Sequence, residues 1–416
     1  RRTTASPLPP RMGPRPLPLH LMSHASMLLA SHAALPLWRN GSLAWKPSLA
    51  PEAEALRQSL DAAGPDAWRA LEAAITAEAA DRHQSMLAGI EAYRRHPYRR
   101  DLPPPPELWR EGSTRLLDYR RPDTPGGLPV LVVPSLINRA YILDLTARRS
   151  LVRYLAARGL QPFLLDWDEP GPAEEAFTLT DYVAGRLGAA LDRVVEATGR
   201  KAALVGYCMG GDLALAAALL HPAKVCALAL LATPWDFHTG RESHGMMMRA
   251  LAGPLGGVIE QAGGVPVDLL SAMFASLDPA LAARKFAAFA RLKAKSARAR
   301  DFVALEDWAN DGVRLAGPVA RECLFGWYGG NDPGEGRWRV AGRPIIPEDV
   351  RVPTLAVVPA RDRIVPPDSA LPLARRIAGA KLMMVGGGHV GMLLSARAKT
   401  DVYGPLAKWL VRSALQ

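Results

Sequence analysis

The stretch Val205-Gly206-Tyr207-Cys208-Met209-Gly210-Gly211 decides how the rest of this chain is read. Before it, Ala202 to Gly206 is an apolar run of strand length; after it, a helix is expected from near Cys208 to Leu220. The frame between them is that of the nucleophile elbow, G-x-S-x-G, with Cys in place of Ser. A strand that turns sharply into a helix holds its nucleophile in a strained conformation, and Gly206 and Gly210 leave room for backbone to pass close by. The sulfur is then presented at a helix N-terminus, where exposed N–H groups and the helix dipole favour an anion. The same turn offers the N–H of Met209 as an oxyanion donor. Cys226, inside an apolar strand, and Cys323 lack this context and are expected to be packing residues.

Outward from the elbow, strands alternate with helices. Thr114 to Tyr119 reads as a short strand, Pro125-Gly126-Gly127 as a turn, and Pro129 to Val133 as a strand buried on both faces. A helix over 143–158 leads to a strand at Pro162 to Asp166, and a helix over 180–198 leads to the elbow strand. Val225 to Ala232 is a further strand, and strand character returns only at Pro353 to Pro359 and Lys381 to Val385. The fold class is α/β, with a mostly parallel, doubly wound sheet built from residues 111–235 and 351–416. The intervening residues 236–350, with helical, Met-rich and aromatic segments and no clear strand, are expected to form an inserted cap over the C-terminal edge of the sheet, where ligands bind in open α/β folds. Residues 51–110 read as an N-terminal helical region, broken at Gly64-Pro65 and closed by Pro97 and the linker Pro103-Pro104-Pro105-Pro106. Residues 1–50 read as a basic and apolar leader, partly disordered, in which Met12 is a candidate start and residues 1–11 an upstream artefact.

A thiol nucleophile needs a base, and the base needs a partner that orients it. In α/β-hydrolase folds the order along the chain is nucleophile, acid, histidine, with the last two on loops after later strands. Asp362 follows the strand ending at Pro359, and His389 follows the strand ending at Val385, within Gly386-Gly387-Gly388-His389-Val390-Gly391. Taken alone, Asp362 is equally a turn former beside Arg361 and Arg363, and His389 a loop residue in a Gly-rich turn; their order and placement after Cys208 argue for a triad. The other histidines are poorer bases: His221 ends a helix before Pro222, His238 and His244 lie at the start of the cap, and the rest are N-terminal. The second oxyanion donor is expected in the loop Pro134-Ser135-Leu136-Ile137-Asn138-Arg139, from the N–H of Leu136 or Ile137, between which the sequence does not choose. No metal site is expected, because the one H-x-x-x-H spacing, His20 to His24, lies in the Pro-interrupted leader and no paired-Cys spacing exists.

Composition narrows the function classes. The 416 residues, 49% hydrophobic and 22% charged, are ample for a packed core. Three cysteines are too few for a disulfide scaffold and suit a reducing compartment, so a cytoplasmic protein is expected. The net charge is +11, but residues 1–51 carry six basic side chains and no acid, which leaves +5 for the body and argues against nucleic acid as a partner. The leader's uncharged run, Leu17 to Trp38, only loosely imitates a signal peptide, since Pro18, His20, His24, His32 and Pro36 interrupt it. No transmembrane span is expected in the body. The basic stretch from Arg284 to Arg300 reads as a solvated helix face with Phe286, Phe289 and Leu292 packed inward, in preference to a coenzyme A or granule contact.

Taken together, these residues resemble the polyhydroxyalkanoate synthase family. The resemblance rests on the run Pro134 to Leu145, on Leu164-Leu165-Asp166-Trp167, on Thr180-Asp181-Tyr182-Val183, on the elbow, and on Gly388-His389-Val390-Gly391, and it covers about residues 95–412. It implies an α/β-hydrolase core with a Cys-Asp-His triad at Cys208, Asp362 and His389 that transfers (R)-3-hydroxyacyl groups from coenzyme A to a growing polyester. It implies no cofactor beyond the coenzyme A thioester as substrate, and a cytoplasmic location on polyester granules. A second, non-catalytic synthase subunit, granule-surface proteins or a second copy in a homodimer are the partners it admits, because the Asp181-Tyr182 region resembles the short type of synthase. The sequence departs from the family where Arg363 follows Asp362, since members often carry His there. Two competing readings are a Cys hydrolase of the dienelactone hydrolase, thioesterase or depolymerase type, which shares Gly-Tyr-Cys-x-Gly-Gly but is shorter and lacks the cap, and a non-catalytic granule-associated relative.

Overall fold

The computed structural model describes residues 10–123, 126–240 and 242–413. Pro125, in the expected turn, and the side chain of His244 lie outside the described residues. The chain divides into two compact units: residues up to Arg99 with Ser271–Asn310, and Arg100–Leu270 with Asp311–Gln416.

The first unit is helical. Helices α1 (Leu17–Arg39), α2 (Ala50–Ala63) and α3 (Pro65–Arg95) run in sequence, with Gly64 at φ +89° separating the last two. The leader is thus helical over 23 residues, although its prolines suggested irregular chain. Pro18 falls in the first turn, where the missing N–H has no intrahelical partner to lose, and Pro36 falls near the end. From the expected cap, helices Leu281–Ala290 and Ala297–Asn310 join this unit, burying Phe286, Phe289 and Val303 with Met86, Ile90 and Tyr93. Along the basic stretch Phe286 and Phe289 are buried, Arg284 is exposed and pairs with Asp278 at 2.7 Å, and Lys285 turns to the buried Glu306 at 2.7 Å. Gly89 has no room for a side chain, because a Cβ there would overlap the backbone of Phe286.

The second unit holds an eight-stranded sheet. In chain order its strands are β1 (Glu107–Glu111), β2 (Thr114–Asp118), β3 (Pro129–Val133), β4 (Gln161–Asp166), β5 (Ala202–Tyr207), β6 (Val225–Leu231), β7 (Thr354–Pro359) and β8 (Lys381–Val385). Their spatial order is β1-β2-β4-β3-β5-β6-β7-β8, antiparallel at β1/β2 and β2/β4 and parallel from β4 onward. Strands β3, β5 and β7 are buried at every position, which is why they read as unbroken apolar runs rather than alternating ones. Helices α4 (Leu151–Ala156), α5 (Gly188–Thr198) and α6 (Met209–Leu220) connect them. At the β8 margin Leu382 and Met384 are exposed.

Three local expectations are corrected. The helix expected over 143–158 is a 3-10 turn at Ala140–Leu143, a small hairpin of Asp144–Thr146 with Arg149–Ser150, and only then α4. Its cause is tertiary: the fully buried Asp144 carboxylate accepts from Tyr119 Oη at 2.9 Å and Arg153 Nε at 2.7 Å and pairs with Arg100 at 3.2 Å. The helix over 180–198 begins as a π-helical segment, Asp181–Leu187. Residues 236–350 contain short strand pairs, Gly264–Val265 with Leu315–Ala316 and Arg339–Val340 with Arg343–Pro344, where no strand was expected.

Candidate active site

Cys208 stands between β5 and α6 at φ +56° and ψ −133°, a conformation that costs a non-glycine residue about 1–3 kcal/mol and is kept only where the surroundings enforce it. They do so from both sides. The Cys208 N–H donates to Leu231 O at 2.9 Å, its own carbonyl accepts from Gly211 N at 2.8 Å, and the helix begins immediately at Met209. A side chain on Gly210 would collide with the carbonyls of Val133 and Pro134, so glycine lets α6 press against the end of β3. That contact brings the start of the Pro134 to Arg139 loop up to the turn that holds Cys208.

Asp362 and His389 arrive from the far side of the sheet, on the loops that follow β7 and β8. These loops are tied together: Ala360 N donates to Val385 O and Arg361 N to Gly387 O, both at 2.9 Å. Gly387 takes φ +94°, a conformation that an L side chain rarely adopts. His389 Nδ1 lies 2.7 Å from Asp362 Oδ2, with the Asp362 side chain fully enclosed and His389 9% exposed. The other carboxylate oxygen accepts from the N–H groups of Ile364 (2.8 Å) and Val365 (2.9 Å), which fixes the acid before it orients the base. Cys208 adjoins the imidazole closely enough for its charge and hydrogen bonding to act on it. Burial alone would push the His389 pKa down, but the Cys208 charge and the hydrogen bonding to Asp362 and Cys208 prevail and raise it to about 10. The structure therefore brings the three expected residues together, with His389 hydrogen-bonded to Asp362 and Cys208 beside the imidazole.

Of the expected oxyanion donors, Met209 opens α6, where its N–H has no partner within the helix. Ile137 N–H donates to Ser135 Oγ at 3.2 Å, whereas the Leu136 amide has no hydrogen-bond partner among the described residues. Trp167 Nε1 donates to Pro134 O at 3.0 Å and steadies the loop from below.

Two features of the site escaped sequence reasoning. Tyr207, fully buried, donates from Oη to the His389 carbonyl at 3.2 Å and lays its ring against the imidazole, 5.2 Å between centroids. Asp212, in the first turns of α6, is wholly buried with neither carboxylate oxygen hydrogen-bonded among the described residues. Burial, and then the neighbouring Cys208 charge, push its pKa well above the usual carboxylate range. No motif marks either residue, because both roles depend on what the fold packs around them.

Of the remaining histidines, His221 caps the end of α6 and His238 Nε2 lies 3.1 Å from Tyr328 O; neither belongs to the line at Cys208. Cys323 is buried and Cys226 half-buried, with burial raising both thiols. Among the described residues no group of three or more His, Cys, Asp or Glu side chains is arranged to hold a metal, and no helix is long and apolar enough to cross a membrane.

Comparison with known proteins agrees with this architecture. A family model described as the alpha/beta hydrolase fold matches residues 129–396. The chain is similar to the poly(3-hydroxyalkanoate) polymerase subunit PhaC of Allochromatium vinosum, 31% identical over 314 residues that cover 74% of this chain and 88% of that protein. The corresponding subunit of Thiocystis violacea is 30% identical over 305 residues, 71% of this chain and 85% of that protein. That of Haloarcula marismortui is 31% identical over 287 residues, 68% of this chain, which spans only 60% of that longer protein.

Proposed function

Because the chain belongs to the poly(3-hydroxyalkanoate) polymerase family of the α/β hydrolase fold, we propose that it transfers (R)-3-hydroxyacyl groups from coenzyme A thioesters to a growing polyester and releases coenzyme A. The observation that carries this reading is the enclosed line Cys208–His389–Asp362 at the strand-to-helix turn. Cys208 Sγ attacks the thioester carbonyl, forming an acyl-thioester to the enzyme while the bond to coenzyme A breaks, and the proton held by His389 goes to the departing coenzyme A thiolate. Exchange of one thioester for another is close to thermoneutral, which suits a cysteine nucleophile better than a serine. Met209 N–H and Leu136 N–H, both without an intramolecular acceptor among the described residues, are the donors we assign to the carbonyl oxygen as it gains charge.

In the second half-reaction the 3-hydroxyl of the acceptor gives its proton to His389 Nε2 and attacks the acyl carbonyl, which returns the electron pair to Cys208 Sγ. Asp362 holds Nδ1–H so that Nε2 is the atom that exchanges protons in both halves. Arg363 stands where other members often carry a histidine, so no histidine beside Asp362 takes part in the proposed steps.

Incubation with (R)-3-hydroxybutyryl-coenzyme A, following free thiol and insoluble polyester in parallel, tests the reading. Thiol release with polymer, both lost in Cys208→Ala, is expected. Thiol release with only free hydroxy acid would replace it with a hydrolase, and no thiol release with a non-catalytic relative.

A further inference from the structure

A cavity of about 580 Å³ opens within the sheet-bearing unit, between the end of α4 and the C-terminal helical segment. Arg158, Lys399, Lys408 and Arg412 line it, and among the described residues no acidic one does. None of these four has an ion pair among the described residues. The nearest acid in sequence, Asp401, is committed to Arg397 at 2.9 Å. Arg158 is not a loose surface cation, because its guanidinium lies 4.9 Å from the centre of the Tyr154 ring, and Tyr154 in turn packs on the buried Tyr403 at 5.5 Å. Tyr154, Pro405 and the exposed Val411 supply an aromatic and apolar wall beside the charges.

Local folding does not account for this arrangement. Lys399 opens the helical segment that runs on into Gly404–Ser413, so its charge sits at the positive end of the helix dipole, where a cation is unfavourable. Lys408 and Arg412 are four residues apart on the same helix and repel each other. An anion held between them would relieve both, and the volume falls in the range of sites for small organic ligands.

We propose that this cavity binds a phosphate-bearing organic anion, its phosphate between Lys399, Lys408 and Arg412 and its apolar or aromatic part against Tyr154 and Val411. Cys208, Asp362 and His389 do not line the cavity, so the site is separate from the proposed chemistry and stands whether or not that reading holds. Phosphate esters of this shape come as soluble nucleotides or as lipid headgroups, and the same three cations would receive either.

The test titrates the full chain with pyrophosphate and ADP by calorimetry, and with phosphatidylglycerol or phosphatidylcholine vesicles by co-sedimentation. The same measurements are made on the K399E/K408E/R412E variant. Saturable, salt-sensitive binding of the soluble phosphates, weakened roughly tenfold or more in the variant, supports a nucleotide-type ligand. Binding confined to phosphatidylglycerol vesicles and lost in the variant supports a lipid headgroup. Equal binding by both proteins, or no saturable binding by the wild type, overturns the proposal. Alkylation of Cys208 by iodoacetamide should proceed at the same rate in both proteins, and Lys399→Gln, with Lys399→Arg as the restoring change, repeats the comparison should the triple variant fail to fold.

Discussion

Asp362 holds His389 with one carboxylate oxygen while its own backbone neighbours hold it by the other: Oδ2 meets His389 Nδ1 at 2.7 Å, and Oδ1 accepts from Ile364 and Val365 N–H. Asp362→Asn keeps the shape but changes what Nδ1 can donate to, so the imidazole loses its working tautomer. Thiol release should fall by on the order of 10³- to 10⁴-fold with the fold intact. Near-normal turnover in a folded Asp362→Asn protein would remove Asp362 from the chemistry.

His389 should keep its proton up to pH about 10, compared with an ordinary value of 6.5. A histidine raised in the folded state contributes its full stabilisation below pH 6.5 and loses it as pH rises through 10. Cys208→Ala removes the charge and one hydrogen bond that raise it, while burial and Asp362 remain. Imidazole ¹⁵N shifts followed against pH should therefore show a lower midpoint in Cys208→Ala. An unchanged midpoint would mean that Cys208 does not face the ring.

Gly210→Ala places a methyl group into the carbonyls of Val133 and Pro134, which are backbone and cannot swing aside. Overpacking of this kind costs about 1–3 kcal/mol. Both denaturant midpoint and iodoacetamide reactivity of Cys208 should drop, because the helix must retreat from β3 and carry the elbow with it. A variant as stable and as reactive as the parent would contradict the contact.

Asp212 predicts an unusual gain. Its folded-state pKa lies well above 3.8, so folding at neutral pH works against the negative charge that the unfolded chain leaves on this group. That burden vanishes below pH 3.8 and grows as pH rises above it. Asp212→Asn should accordingly stabilise the protein more at pH 7 than at pH 4, which thermal unfolding at the two pH values would reveal. Equal shifts at both would mean that the acid has an ionised partner.

The sequence disclosed the parts whose logic is local. β3, β5 and β7 announce themselves as apolar runs, the elbow by its glycines, and Asp362 and His389 by following strands in a fixed order. What stayed hidden depends on distant partners. β1, Glu-Leu-Trp-Arg-Glu, looks like charged linker and becomes a strand only by pairing with β2 at the sheet's edge. Asp144 turns an apparent helix into a hairpin by collecting Arg100, Arg153 and Tyr119. Asp212 reads as an ordinary helical acid until α6 is seen to be buried on all sides.

The proposed nucleophile follows β5 and its proposed acid and base follow β7 and β8, more than a hundred residues further along the chain. A ribosome therefore delivers Cys208 long before it delivers His389. Through that interval the thiol has no imidazole beside it, and a polypeptide abandoned midway would carry the elbow without the means to discharge an acyl group. On the proposed reading, a chain cut short of His389 would hold the elbow but could neither protonate coenzyme A nor receive the acceptor's proton, so it should release no thiol.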